Sequence, residues 1–338
     1  MRRPAAVTDV TQAAAKLTMI EAITMAHAWE MQADPSVIVL GQDVGANGGV
    51  FRATAGLQQR FGRDRVQDTP LAEAMIAGMS VGMAAQGLKP VAEIQFMGFI
   101  YPAIDQIVNH MARMRYRTRG RLHCPVVMRM PHGGGIHAPE HHSESMEAML
   151  CHVPGIRVVC PSSPARAYGL LLAAIRDPDP VMFLEPVRLY RAMRQDVVDD
   201  GVALPLDRCF TLRPGSDVTL VTWGAMTLET LRAMADLDKE GISAEVIDVA
   251  TLSPIDMTTI LASVARTGRL VIVHEAARNA GLGAEIAATV AEHGLYDLRA
   301  PIQRVTGYDT IMPLMRLEYE YIPNVRRIVD AVHLTFAD

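Results

Sequence analysis

Residues 156–186 read "IRVVCPSSPARAYGLLLAAIRDPDPVMFLEP". A short apolar run, "IRVVCP", leads into a helical stretch, "PARAYGLLLAAIRD", and then into a second apolar run, "PVMFLEP". Strand-length apolar runs that alternate with helices imply a parallel sheet covered on both faces. The alternation continues in both directions. Upstream, Thr18 and Glu21 form a capping box ahead of a helix over 19–33, which stops before Asp34-Pro35. "VIVLGQDVG" follows as a strand running into a glycine loop. Next come a helix over 71–87 with small residues on most faces, a strand over 89–96, a helix over 101–117 and a strand over 125–130. Downstream, 190–216 is charged, turn-rich and weakly periodic, which predicts a linker containing a hairpin. Strands and helices then alternate again, from "VTLVTWG" to a closing helix in "NVRRIVDAVHLTF". The predicted fold class is α/β, with two doubly wound α/β domains over 18–190 and 216–338. A linker over 191–215 joins them, and residues 1–17 read as a disordered tail rather than a signal peptide.

Composition narrows the function classes. Half of the 338 residues are hydrophobic, aromatics make up only 5%, and methionine is plentiful at 21. The core is therefore built from small and flexible aliphatic side chains. The net charge of −5 and the lack of a Lys/Arg run argue against nucleic acid as a partner; "RMRYRTRGR" at 113–121 reads as a solvated helix end. No apolar run reaches the length of a membrane span. The four cysteines lack CxxC spacing, which points to reduced, buried thiols in a cytoplasmic protein.

Three stretches are candidates for chemistry. "VLGQDVGANGG" and "GLGAEI" at 281–286 lack the dinucleotide fingerprint, and no Walker A sequence occurs, so a phosphate has no evident cradle in this chain. "HGGGIHAPEHHSES" at 132–145 is rich in histidine but lacks zinc-ligand spacing. Its glycines would let backbone amides hold an anion. The reading that fits best is a loop carrying one oriented imidazole, with Ser143 or Ser145 capping "MEAML" and keeping His142 near a helix N-terminus. Glu73 starts an apolar helix rich in Ala and Gly. A carboxylate there is favoured by the helix dipole, and the small residues around it suit a tight interface at which it would be shielded from water and tuned for proton transfer.

Taken together, "TPLAEAMIAGMSVGMA", "AEIQFMGFIYPAIDQIVN", "GGGIHAPEHHSESMEAML", the 153–186 stretch and "GISAEVIDVATLSPID" resemble the β subunit of the thiamine-diphosphate-dependent E1 component of 2-oxo acid dehydrogenase complexes. The resemblance runs in register from Thr18 onward. It implies a transketolase-like pyrimidine-binding domain followed by a transketolase C-terminal domain. It also implies an α2β2 heterotetramer, in which the α subunit supplies the G-D-G diphosphate motif and the Mg²⁺; no "GDG" occurs here. By position, Glu73 is implied to hydrogen-bond the aminopyrimidine, and Leu71, Gln95 and Phe99 to line it. His142 is implied to assist acyl transfer to the lipoyl arm of the E2 dihydrolipoyl acyltransferase. Glu144, where relatives carry Gln or Asp, puts a negative charge beside His142 that would raise its pKa. Carbonyl oxygens of Val126, Ala174, Ile175, Asp177 and Asp179 match a structural potassium site. Pyruvate is the first substrate expectation, with 3-methyl-2-oxobutanoate and acetoin as alternatives, and a non-catalytic subunit that docks E2 is the reading from another class. A self-sufficient transketolase is disfavoured by the missing diphosphate motif.

Overall fold

The computed structural model describes residues 14–337. It begins with strand β1 (Ala15–Leu17), which pairs antiparallel with a later strand and not with its neighbours. Helix α1 (Met19–Ala33) starts as the capping box predicts. The Thr18 hydroxyl accepts the Glu21 amide at 3.4 Å, and the Glu21 carboxylate accepts the Thr18 amide at 2.7 Å. The chain continues through β2 (Val37–Gly41), α2 (Leu57–Phe61), β3 (Val66–Asp68), α3 (Glu73–Ala85), β4 (Lys89–Glu93), α4 (Met114–Arg117), β5 (Val127–His132), α5 (Glu147–Cys151), β6 (Arg157–Val159), α6 (Pro164–Arg176) and β7 (Val181–Pro186). α6 is bounded by its own sequence: Ser163 caps the Arg166 amide, Pro164 sits in the first turn, and Asp177-Pro178 ends it.

The rest comprises β8 (Gln195–Val197), β9 (Phe210–Arg213), β10 (Val218–Thr222), α7 (Met226–Lys239), β11 (Ala244–Asp248), β12 (Thr251–Ser253), α8 (Met257–Thr267), β13 (Leu270–Ala277), α9 (Leu282–His293), β14 (Gln303–Gly307), α10 (Glu318–Tyr321) and α11 (Val325–Leu334). A seven-stranded sheet has the order β12-β6-β7-β5-β4-β2-β3, parallel except for β12. A five-stranded sheet has the order β14-β13-β10-β11-β9, parallel except for β9.

Several expectations need correction. Residues 15–17 are not tail: Ala15 to Leu17 pair with Val197 to Gln195. The remainder of the expected tail, residues 1–13, lies outside the described residues. No hairpin forms in 191–215, because β8 pairs with β1 and β9 with β11. Each short strand covers a separate partner instead of its neighbour in sequence. The helix expected over 101–117 is broken into a tight turn Tyr101–Ala103, a wide turn Gln106–Met111 and α4; the wide turn closes with the Ala112 amide on the Ile107 carbonyl at 3.0 Å. The chain beyond 216 also returns a strand to the first sheet. β12 lies antiparallel on β6, and the Cys160 amide donates to the Ala250 carbonyl at 2.7 Å. This covers an edge that would otherwise present unpaired backbone groups.

Arg129 lies within the seven-stranded sheet, with its side chain 1% exposed. Its guanidinium donates to Glu185 at 2.6 and 2.9 Å and to Glu93 at 2.9 Å, and the Tyr190 hydroxyl donates to Glu185 at 2.5 Å. The three charged residues sit on β4, β5 and β7, so the cluster ties adjacent strands together. Burial pushes the Glu93 carboxyl up, against the pull of Arg129. Removing the cation would leave two buried carboxylates facing each other. Arg129→Ala should therefore lower the unfolding free energy by about 3–5 kcal/mol, read from urea melts. A midpoint indistinguishable from wild type would contradict this.

Candidate active site

The sequence-predicted residues gather on loops at the C-terminal ends of the parallel strands, where open α/β sheets bind ligands. Leu71 and Glu73 follow β3, Gln95 and Phe99 follow β4, and His142 lies on the loop after β5. The chain leaves β2 toward β3 on one side and has β4 on the other, so the strand order reverses between β2 and β4. Gln95 bridges that point: its side-chain amide donates to the Gln42 carbonyl at 3.5 Å.

One contact among these residues is direct. The His142 ring stands edge-on to Phe99, with centroids 5.1 Å apart, and to Phe96 at 4.4 Å. Its Nδ1 is buried and unpartnered among the described residues. The His141 ring also lies against Phe99, with centroids 5.2 Å apart, and its Nε2 sits 2.7 Å from the Gly98 carbonyl oxygen. Glu73 opens α3 behind Ala72, which provides no side-chain cap, so the free amides of that turn favour its carboxylate. Glu73 is only partly buried and Leu71 is 70% exposed. A cleft of about 890 Å³ between Cys151, Pro254 and Gly281 contains none of these residues.

One local reading fails. Neither Ser143 nor Ser145 caps α5. The cap position is Met146, the Ser143 hydroxyl donates to the Pro139 carbonyl at 3.2 Å, and Glu140–His142 form a turn of their own. The Glu144 carboxylate accepts the Tyr101 hydroxyl at 2.7 Å. In the stretch matched to a potassium site, two of the expected carbonyls also accept backbone amides, and the aspartates pair through their side chains. The Val126 carbonyl accepts the Val181 amide at 2.9 Å, and the Ala174 carbonyl accepts the Asp177 amide at 3.3 Å. Asp177 pairs with Arg157 at 3.2 Å and Asp179 with Arg115 at 2.6 Å, while Ile175 is buried in the core.

The triple glycine does cradle anions, but they come from the protein itself. The Gly134 amide donates to Glu275 at 2.5 Å and the Gly135 amide to Glu318 at 2.7 Å. Glu318 also accepts the His137 amide at 3.1 Å and lies 3.0 Å from its Nδ1. Gly133 and Gly135 have φ of +82° and +89°. A side chain at 133 would meet Glu275 at 2.9 Å, and one at 135 would meet Arg188 at 2.6 Å. Glycine is required for both reasons.

Beneath this loop His132 Nε2 lies 3.3 Å from Glu147, which also accepts the Trp223 indole N–H at 3.2 Å. Trp223 in turn stacks on His274 at 5.1 Å and 9°. Burial works against both ions of the first pair, yet His132 is raised by its partner and Glu147 is pulled down to about 2. Sequence reasoning missed Glu147, Glu275 and His274. The "HE" that closes the apolar strand "RLVIVHE" was the available signal for the last two.

Fold and site together define a transketolase-type chain. Residues 15–193 match the family model "Transketolase, pyrimidine binding domain", and 208–328 match "Transketolase, C-terminal domain". A solved chain described as "Split gene transketolase, inactive beta4 tetramer" superposes with a TM-score of 0.76 at 25% identity, over 94% of this chain and 98% of that one. Among sequence relatives, "Pyruvate dehydrogenase E1 component subunit beta" of Bacillus subtilis is 48% identical, over 94% of this chain and 97% of its own. The protein of the same name in Acholeplasma laidlawii is 49% identical, over 92% and 95%. The chain belongs to the family of pyruvate dehydrogenase E1 component β subunits.

His274 provides a pH test of the network. Among the described residues neither of its ring nitrogens has a partner, and burial pushes its pKa from 6.5 to about 4. The unfolded chain therefore takes up this proton first as pH falls. The stability due to the neutral ring is complete above pH 6.5 and is lost as pH drops toward 4. The loss is on the order of 3 kcal/mol. His274→Phe keeps a ring on Trp223 and should flatten that part of the stability–pH curve, measured by urea melts from pH 7 down to about 4. An acid slope equal to that of wild type would contradict it.

Proposed function

We propose that this chain is the β half of a thiamine-diphosphate-dependent E1 enzyme. That enzyme decarboxylates a 2-oxo acid, with pyruvate the first choice, and transfers the acyl group to the lipoyl arm of an E2 dihydrolipoyl acyltransferase. The observation that carries the reading is His142, set edge-on between Phe96 and Phe99 with a buried, unpartnered Nδ1 at the C-terminal edge of the sheet. An orphaned imidazole nitrogen in an aromatic slot fits a site that a cofactor and a substrate complete.

Bound thiamine diphosphate supplies an electron sink for decarboxylation. In this reading Glu73 hydrogen-bonds the aminopyrimidine ring and holds a proton there, and Leu71, Gln95 and Phe99 bind the ring and exclude water. His142 orients the incoming lipoyl sulfur and holds a proton for it. The exposure of Leu71 and the open setting of Glu73 support a site finished by an α subunit, which also holds the diphosphate and its Mg²⁺. The absence of "GDG" from the sequence supports the same division. A structural potassium ion on the carbonyl oxygens of Val126, Ala174, Ile175, Asp177 and Asp179 belongs to the same reading, and the arginine pairs of Asp177 and Asp179 engage their side chains and not those carbonyls. A cytoplasmic location is supported by four unpaired cysteines, whose thiols burial pushes up.

The test is co-expression with the cognate α subunit and measurement of decarboxylation of pyruvate and 3-methyl-2-oxobutanoate and of cleavage of acetoin. Pyruvate should be preferred, and the chain alone should be inactive. Glu73→Ala should lower decarboxylation by about 10²- to 10⁴-fold, and His142→Ala should slow reductive acylation more than decarboxylation. Decarboxylation by the Glu73→Ala variant at the wild-type rate would refute the assignment. Full acylation with Glu73→Ala and His142→Ala would favour a non-catalytic assembly subunit.

A further inference from the structure

We propose that Glu275 and Glu318 are positioning residues for acyl transfer: from the C-terminal half of the chain, they clamp the loop that carries His142. The proposal rests on the role assigned to His142 above. Both carboxylates are buried, at 5% and 1% exposure, and both face backbone amides of the glycine stretch. Glu275 lies in β13 of the five-stranded sheet and Glu318 opens α10, whereas the loop belongs to the seven-stranded sheet. Each bond therefore joins residues more than a hundred positions apart, with separations of 141, 183 and 181.

The geometry singles out the loop's first turn. Glu318 binds Gly135 and His137 through different oxygens, a two-point grip that fixes orientation as well as distance. Gly133, under Glu275, closes the loop on itself: its amide donates to the Glu144 carbonyl at 2.9 Å, two residues past His142. The start of the loop, gripped by the two carboxylates, is thereby tied to the segment that bears the imidazole. At the far end, Glu144 and His141 are held by Tyr101 and Gly98. Hydrogen bonds from backbone amides to a buried carboxylate are strong because no water competes. Releasing them would let the 133–146 segment move relative to Phe96 and Phe99. A displacement of that kind costs rate in a step that depends on where the imidazole sits.

The test uses the full chain assembled with its α subunit. Variants are Glu318→Ala, Glu318→Gln, Glu275→Ala, His142→Ala and the Glu318→Ala/His142→Ala double. Readouts are decarboxylation with an artificial electron acceptor, reductive acylation of a lipoyl domain, and amide hydrogen exchange of the 133–146 peptide. Glu318→Ala and Glu275→Ala should each slow acylation by about 10- to 100-fold and decarboxylation far less. Exchange should speed up in 133–146 but not in 164–176. The double variant should be no slower than His142→Ala alone, and Glu318→Gln, which keeps an acceptor for Gly135, should recover most of the rate. The proposal is overturned by unchanged loop exchange in both alanine variants. Equal loss of both activities would also overturn it, as the mark of a general folding defect. If His142→Ala slows acylation while neither glutamate variant does, the clamp is wrong and the role of His142 stands. If His142→Ala leaves acylation intact, that role is wrong and this proposal falls with it.

Discussion

Arg129 carries a full positive charge inside a sheet, three strands from either edge strand, where an unpaired ion would cost several kcal/mol. It is tolerated because Glu93 and Glu185 meet it from the strands on either side and the Tyr190 hydroxyl donates to a Glu185 oxygen that the guanidinium also binds. The cluster holds β4, β5 and β7 in alignment near their C-terminal ends. The loops that carry Gln95, Phe99 and His142 leave from β4 and β5. The position of the candidate active site depends on that alignment. A hydrophobic substitute for the cluster would fill the volume without specifying the register as this bidentate geometry does.

Polar contacts also join the two halves of the molecule at the loop after β5. Gly134, Gly135 and His137 are held by Glu275 and Glu318, and Glu147 accepts from Trp223. Two further links lie at the β6 edge. β12 pairs with β6, and Ser162 donates to Asp248, a buried carboxyl that burial raises to about 6. These contacts place carboxylates from the half that holds the five-stranded sheet on a loop of the seven-stranded one. The small residues of α3 have a complementary character. Gly82 faces open space and Met79 is exposed on a helix that is apolar throughout, which suits close approach by another chain.

Much of the fold was legible in local sequence. The capping box at Thr18, the Ser163–Pro164 start of α6 and the apolar runs of β2, β5 and β7 act over a few residues, and each element appears where its signal lies. The readings that failed were those that needed knowledge of a distant partner. β1 and β8 are short and weakly apolar, and they form strands because they find each other across 178 residues, as the Arg194–Lys16 hydrogen bond between their flanks illustrates. Ser143 and Ser145 matched a cap in sequence, but the turn at Glu140–His142 set the approach to α5 differently.

The sequence by itself determined the α/β alternation, the family resemblance and the residues on which the proposed chemistry rests. These follow from side-chain periodicity and from motifs whose members are close in the chain. Tertiary structure alone decided that the glycine stretch would hold the protein's own carboxylates, that Glu144 would face Tyr101, and that His142 would stand in a slot made by Phe96 and Phe99. A carboxylate takes whichever donors the fold brings within about 3 Å of it, and chain order holds no record of that distance.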